Sequence, residues 1–307
     1  MTAPVPPVLI LLALGAGWGI TQPLAKIAVS EGYRHFGIIF WQLVISALVL
    51  GVIALLRGQR LPMTPRHLRL YLAIAFLGTI LPNSASFQAA RFLPAGILSI
   101  LISLVPMFAL PIALGWRLER FSWRRLAGIL CGAGAVVLIV GPDASLPDPA
   151  MAVYVPLAMI APFFYAVEGN YVGRFGTLDI GPLRTLLGAA LVGVPVAAAL
   201  ALGTGQFIDP RGPWGAPDHA VVASSVIHAL VYAGYVWLVG RAGSVFAAQV
   251  AYLVTLSGVL WAMLLLGERY AGWVWAALAL MLAGLFLVQP RPRDAVAAIR
   301  PAGQDAG

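Results

Sequence analysis

The chain has 307 residues, of which 61% are hydrophobic and only 10% charged. A soluble domain carries about a quarter charged residues, so this composition excludes an ordinary water-soluble protein. The formal net charge of +8 does not point to nucleic acid, because the basic residues lie between apolar runs and read as topology signals. The single cysteine, Cys131, lies inside an apolar run, which excludes an intrachain disulfide and offers no metal cluster.

Apolar runs of about 20 residues mark membrane-spanning helices. Ten such runs are predicted, at residues 7–29, 36–56, 70–90, 94–116, 126–141, 152–172, 183–203, 220–240, 244–266 and 272–289. No Lys or Arg precedes the first run and no small-residue cleavage site follows it, so it reads as a retained span and not a signal peptide. Loops are short and several begin with Gly or Pro, as at Gly58, Pro142-Asp143 and Gly212-Pro213. None can hold a soluble domain. The tail after Pro290 is polar and contains Arg291, Arg293 and Arg300.

Polar side chains are costly in hydrocarbon, so those present face a water-filled cavity or another helix. In the first span Trp18 and Gln22 are neighbours four residues apart, while Lys26, near its outer end, is expected to snorkel toward the headgroups. The third span sets Thr79, Asn83, Ser86 and Ala90 on one face, with Pro82 preceding Asn83. Pro106 and Pro111 interrupt the fourth, and Pro162 and Pro195 the sixth and seventh; each removes a helix hydrogen bond. The sixth span aligns Ala161, Tyr165, Glu168 and Val172, and the eighth aligns Ser224, His228 and Tyr235 with Tyr232 beside them. Gln249 and Tyr252 are neighbours in the ninth. Gly15-x-x-x-Gly19 and Gly128-x-x-x-Gly132 suit close helix contact. Glu168 and His228 are the candidates for proton coupling, with Arg174 an alternative partner for Glu168. Each polar residue also has a plainer reading as a helix–helix contact.

Two stretches repeat. Leu93–Ile139 and Ala242–Gln289 each read as a helix, a Glu-Arg turn and a second helix. Glu119 and Glu268 stand 149 residues apart, close to half the chain. With the N-terminus cytoplasmic, fourteen arginines fall on the inner side and four on the outer, which favours both termini inside. Ten spans divide into two sets of five, an odd number, so the halves cross the membrane in opposite senses. The expected organisation is an all-α integral membrane protein with ten transmembrane helices in two inverted five-helix repeats around a central cavity. Residues 1–145 form the first repeat, 146–290 the second and 291–307 a cytoplasmic tail.

Trp18-Gly19 followed by Lys26, the Pro106-to-Glu119 spacing and Gly267-Glu268-Arg269 together resemble the drug/metabolite transporter superfamily in its ten-span, EamA-type form. Within it the chain is most similar to the YddG-type aromatic amino-acid exporters. It departs at Trp41-Gln42, where many relatives carry Arg, and at Thr255, taken as the counterpart of Pro106. The resemblance implies a six-sided cavity built from spans 1, 3, 4, 6, 8 and 9.

The predicted mid-membrane region holds no Arg to bind phosphates, which disfavours nucleotide-sugar or sugar-phosphate cargo. Amides, hydroxyls, one His and many aromatic rings suit a neutral or zwitterionic amphiphile: an aromatic amino acid or another amino-acid-like metabolite. No ATP-binding loop is present, so transport is expected to be secondary, by alternating access, with no cofactor or metal. The expected partners are a small-molecule substrate and the lipid bilayer, with a monomer favoured over a dimer, in a bacterial inner membrane. Standard hydrolase motifs are absent, although Ser84 or Ser224 beside His228 leaves an intramembrane enzyme as the competing class, with a structural or receptor-like protein a third.

Overall fold

In the computed structural model, residues 6–141 and 146–289 are described. The expected tail and the Pro142-Asp143 turn lie outside the described residues. The membrane-spanning helices are α1 (Pro7–Ala28), α2 (His35–Leu56), α3 (Pro65–Ala90), α4 (Ala95–Gly115), α5 (Trp123–Val140), α6 (Pro149–Phe175), α7 (Gly181–Gly203), α8 (Ala216–Ala242), α9 (Val250–Leu266) and α10 (Gly272–Val288). Among the described residues the fold is all helical, as expected for a ten-helix membrane protein. A separate short turn of helix, Ser244–Ala247, leads into α9. Several helices start earlier than hydropathy suggests, α3 at Pro65 and α8 at Ala216 with Pro217 behind it. A proline in the first turn is preorganised for helix and its missing N–H costs nothing there, but such polar first turns score poorly as apolar runs.

Three interior prolines reshape their helices. Pro23 cannot donate to Gly19, and α1 breaks at Ile20. Pro82 cannot donate to Gly78, and α3 widens into a π-helical turn over Phe76–Ile80. Pro106 cannot donate to Ile102, and α4 tightens into a 3₁₀ turn over Ile102–Leu104.

The helix pairings repeat when each helix of the first half is exchanged for its counterpart in the second. α1 packs on α9 as α6 packs on α4; α1 on α8 as α6 on α3; and α2 on α8 as α7 on α3. The pairs α2–α7, α4–α9 and α5–α10 map onto themselves. On that pseudo-twofold axis the buried hydroxyls of Ser103 and Thr255, 152 residues apart, hydrogen-bond to each other. Each also bonds back one turn, to the carbonyls of Ser99 and Ala251. Counted from this contact, Thr255 is the counterpart of Ser103. In that register Gly258 falls opposite Pro106, which differs from the sequence alignment, and three more residues separate Ser103 from Glu119 than Thr255 from Glu268.

Small residues set the closest approaches. A Cβ at Gly128 would stand 2.7 Å from the Gly284 carbonyl oxygen, so α5 and α10 touch backbone to backbone. A Cβ at Gly19 would stand 2.7 Å from the Gly258 nitrogen, which seats α1 against α9.

Candidate functional site

A cavity of about 650 Å³ penetrates the bundle from the end that carries Glu119. Its walls are Pro106 and Ala109 of α4, Tyr165, Gly169 and Asn170 of α6, Tyr235 of α8 and Ala251 of α9, with Gln289 beyond α10 at the rim. The wall of α6 is built from the 165–166–169–170–173 stripe of that helix, whose glycines remove side-chain bulk. Deep in the bundle, the Tyr165 hydroxyl donates to Asn83 Oδ1 at 2.7 Å, and Asn83 Nδ2 donates to Gln42 Oε1 at 2.8 Å. Three helices, α6, α3 and α2, thus meet in one polar chain. Asn170 donates to the Ala109 carbonyl at 3.1 Å and to Ala166 at 2.9 Å, fixing α6 against α4.

An aromatic group lies between α1 and α8. Trp18 Nε1 donates to His228 Nδ1 at 3.3 Å, which leaves the imidazole proton on Nε2 in the neutral ring. The Trp18 ring also meets Tyr235 at 5.5 Å and, edge-on, Tyr232 at 6.4 Å between centroids. Through Tyr235 this group reaches the cavity wall. Near the polar chain, Glu168 points away from the cavity: its carboxylate lies against Gly78 in the π-helical turn, where any side chain would collide with it. The absence of a Cβ at Gly78 and the widened turn together make room for the carboxylate.

Of the residues selected from sequence, Asn83 and Tyr165 join in the polar chain, and Trp18, His228 and Tyr232 form the aromatic group. Gln22, Thr79 and Ser86 are half-buried and join neither. Ser224 bonds back to the Val221 carbonyl, and Ser84 to that of Ile80; neither is bonded to His228, as a catalytic pair would be. Four expectations need correction. Gln249, expected on the cavity face of the ninth span, sits in the turn before α9, where its amide donates to Gln289 at 3.4 Å near the cavity rim. The Tyr252 hydroxyl is buried without a hydrogen-bond partner among the described residues, and it does not line the cavity. Glu168 does not share the working face of α6, because that face turns through Gly169 and Asn170. Lys26 does not snorkel; its ammonium donates to the Leu93 carbonyl at 3.0 Å and to Arg91 at 3.4 Å. Sequence reasoning passed over Gln42 and Asn170. Both are amides in apolar helices, which was the available signal; Gln42 entered only as a departure from relatives, and Asn170 lay near an expected helix end.

Two interchangeable five-helix halves around a cavity open at one end define an inverted-repeat membrane transporter. The EamA-like transporter family matches this sequence twice, over residues 5–141 and 153–289, and the chain belongs to that family. A solved structure described only as "Crystal structure of protein" superposes with a TM-score of 0.64 at 18% identity, covering 92% of this chain and 96% of its own, and so shares the fold. No curated protein matches the sequence.

Proposed function

We propose that the protein exports neutral or zwitterionic amphiphiles, aromatic amino acids foremost, by secondary alternating access. The observation that carries this reading is the character of the cavity. Its wall presents the Tyr165 and Tyr235 rings and the Asn170 amide, while the ionic groups Glu119 and Arg125 lie at the mouth. Aromatic faces accommodate an apolar side chain and amides the charged ends of the substrate. A volume of about 650 Å³ admits a molecule of that size. Residues 1–145 and 146–290 are the two moving units, and the pairing of helices across them is what lets one rock against the other.

The arginine distribution supports a cytoplasmic Glu119 end with both termini inside, and the proposed location is a bacterial inner membrane. The open mouth then faces the compartment from which an exporter loads. His228 and Glu168 are the groups through which protons would couple. The experiment is counterflow of radiolabelled tryptophan and phenylalanine in proteoliposomes holding the purified protein. Trans-stimulated exchange is expected, and exchange of no amino acid would overturn the substrate assignment. Glu168→Gln and His228→Ala are expected to lose acceleration by an imposed pH gradient; unchanged acceleration in both would remove them as coupling groups.

A further inference from the structure

The two ends of the molecule carry equivalent parts, and only one end has them joined. At the closed end, Glu268 in the α9–α10 turn accepts hydrogen bonds from the backbone amides of Ala95 at 2.8 Å and Gly96 at 3.2 Å, and from the Tyr270 hydroxyl. Lys26, near the end of α1, donates to the carbonyls of Arg91 and Leu93 in the same short stretch. A carboxylate thus takes the amides and an ammonium the carbonyls of the connection between α3 and α4. The first turns of α4 behind it, Ala95–Leu101, are wholly buried. Charge-assisted hydrogen bonds of this kind are stronger than neutral ones.

Both gripping side chains have counterparts at the open end. Glu119 occupies the α4–α5 turn as Glu268 occupies the α9–α10 turn. Arg174 holds the same position as Lys26, counted from the start of each family match. The stretch equivalent to the α3–α4 connection is the α8–α9 connection, Gly243 to Ala248. Neither counterpart grips it. Glu119 pairs instead with Arg125 at 2.9 Å, and Arg174 is exposed with no hydrogen bond or ion pair among the described residues. The mouth of the cavity opens between them, lined by Glu119, Gly173 and Ala248.

We propose that Glu119 and Arg174 are the unlatched half of a reciprocal gate. When the mouth closes, Glu119 leaves Arg125 for backbone amides of the Gly243–Ala248 stretch and Arg174 takes its carbonyls, as Glu268 and Lys26 release residues 91–96. Each state then forms one latch and lacks the other, so weakening either latch moves the population toward the state that does not use it. Arg125 is a positioning residue that parks Glu119 while the mouth is open. The inference concerns the gate alone and does not depend on which substrate is carried.

The test is a distance measurement between spin labels at Phe121→Cys and Gly240→Cys, across the mouth, in full-length Cys131→Ser protein in nanodiscs. Glu268→Gln weakens the closed end and is expected to move the population toward the short mouth distance by about tenfold, equivalent to about 1.4 kcal/mol. Adding Glu119→Gln, or Arg174→Ala at its exposed site, to Glu268→Gln is expected to return the population to the long distance. If Glu268→Gln does not fold, Lys26→Gln serves as the background with the same expected shift. A Glu268→Gln or Lys26→Gln background that keeps the long distance would overturn the gate. So would a short distance that persists after both Glu119→Gln and Arg174→Ala.

Discussion

Asn83 is the residue on which the polar chain turns, because it accepts from Tyr165 and donates to Gln42. Asn83→Ala leaves two amphipathic partners unpaired inside the bundle, a loss of about 1–3 kcal/mol for each buried group left unsatisfied. The expected outcome is a lower thermal midpoint by fluorescence-detected unfolding, together with weaker counterflow. Tyr165→Phe removes one bond and keeps the ring, so it should lower counterflow with less effect on the midpoint. Asn83, Tyr165, Trp18 and His228 were legible in sequence because a polar or amphipathic group in an apolar helix needs a reason. Their partners were not. Helical periodicity says which side chains share a face, but not which neighbouring helix that face meets, so Gln42 went unpaired and Lys26 was sent to the headgroups. Gly78 illustrates the same limit: nothing local announces that a glycine in α3 makes space for Glu168 in α6.

At the scale of helices, the sequence gives existence and count well and the internal breaks poorly. The prolines were visible, but the response to each depends on its neighbours: Pro82 produces a widened turn and Pro106 a tightened one. The glycine spacing was read more successfully, since Gly128 does meet a partner backbone; that partner, Gly284 of α10, lies in the other repeat and could be identified only by packing. Gly284→Leu must push α10 off α5, because a Cβ there already stands 2.8 Å from the Gly128 carbonyl oxygen. Overpacking of a well-filled contact costs about 1–3 kcal/mol, so a fall in the thermal midpoint is expected. Gly240→Leu, at the end of α8 where a Cβ meets nothing within 4 Å, should leave the midpoint unchanged.

For the whole molecule, the exchange of halves that relates the helix pairings also specifies the state not seen here. Ala251 of α9 lines the open cavity, while its counterpart Ser99 of α4 is fully buried and bonded to the Ala95 carbonyl. If the halves trade conformations, Ser99 becomes the lining residue of a cavity open at the Glu268 end, and Gln22 takes the place that Asn170 holds now. Gln22, which lines no cavity in the present state, would then line that one. In Cys131→Ser protein, Ala251→Cys should react with a membrane-impermeant thiol reagent supplied at the Glu119 end. Ser99→Cys should react only from the opposite end, and faster when Glu268→Gln opens the latch there. The buried Ser99 cannot be reached without rearrangement, so its labelling rate counts excursions to the second state. Counterflow that continues while Ser99→Cys stays unlabelled from both sides would show that transport does not use the exchanged conformation.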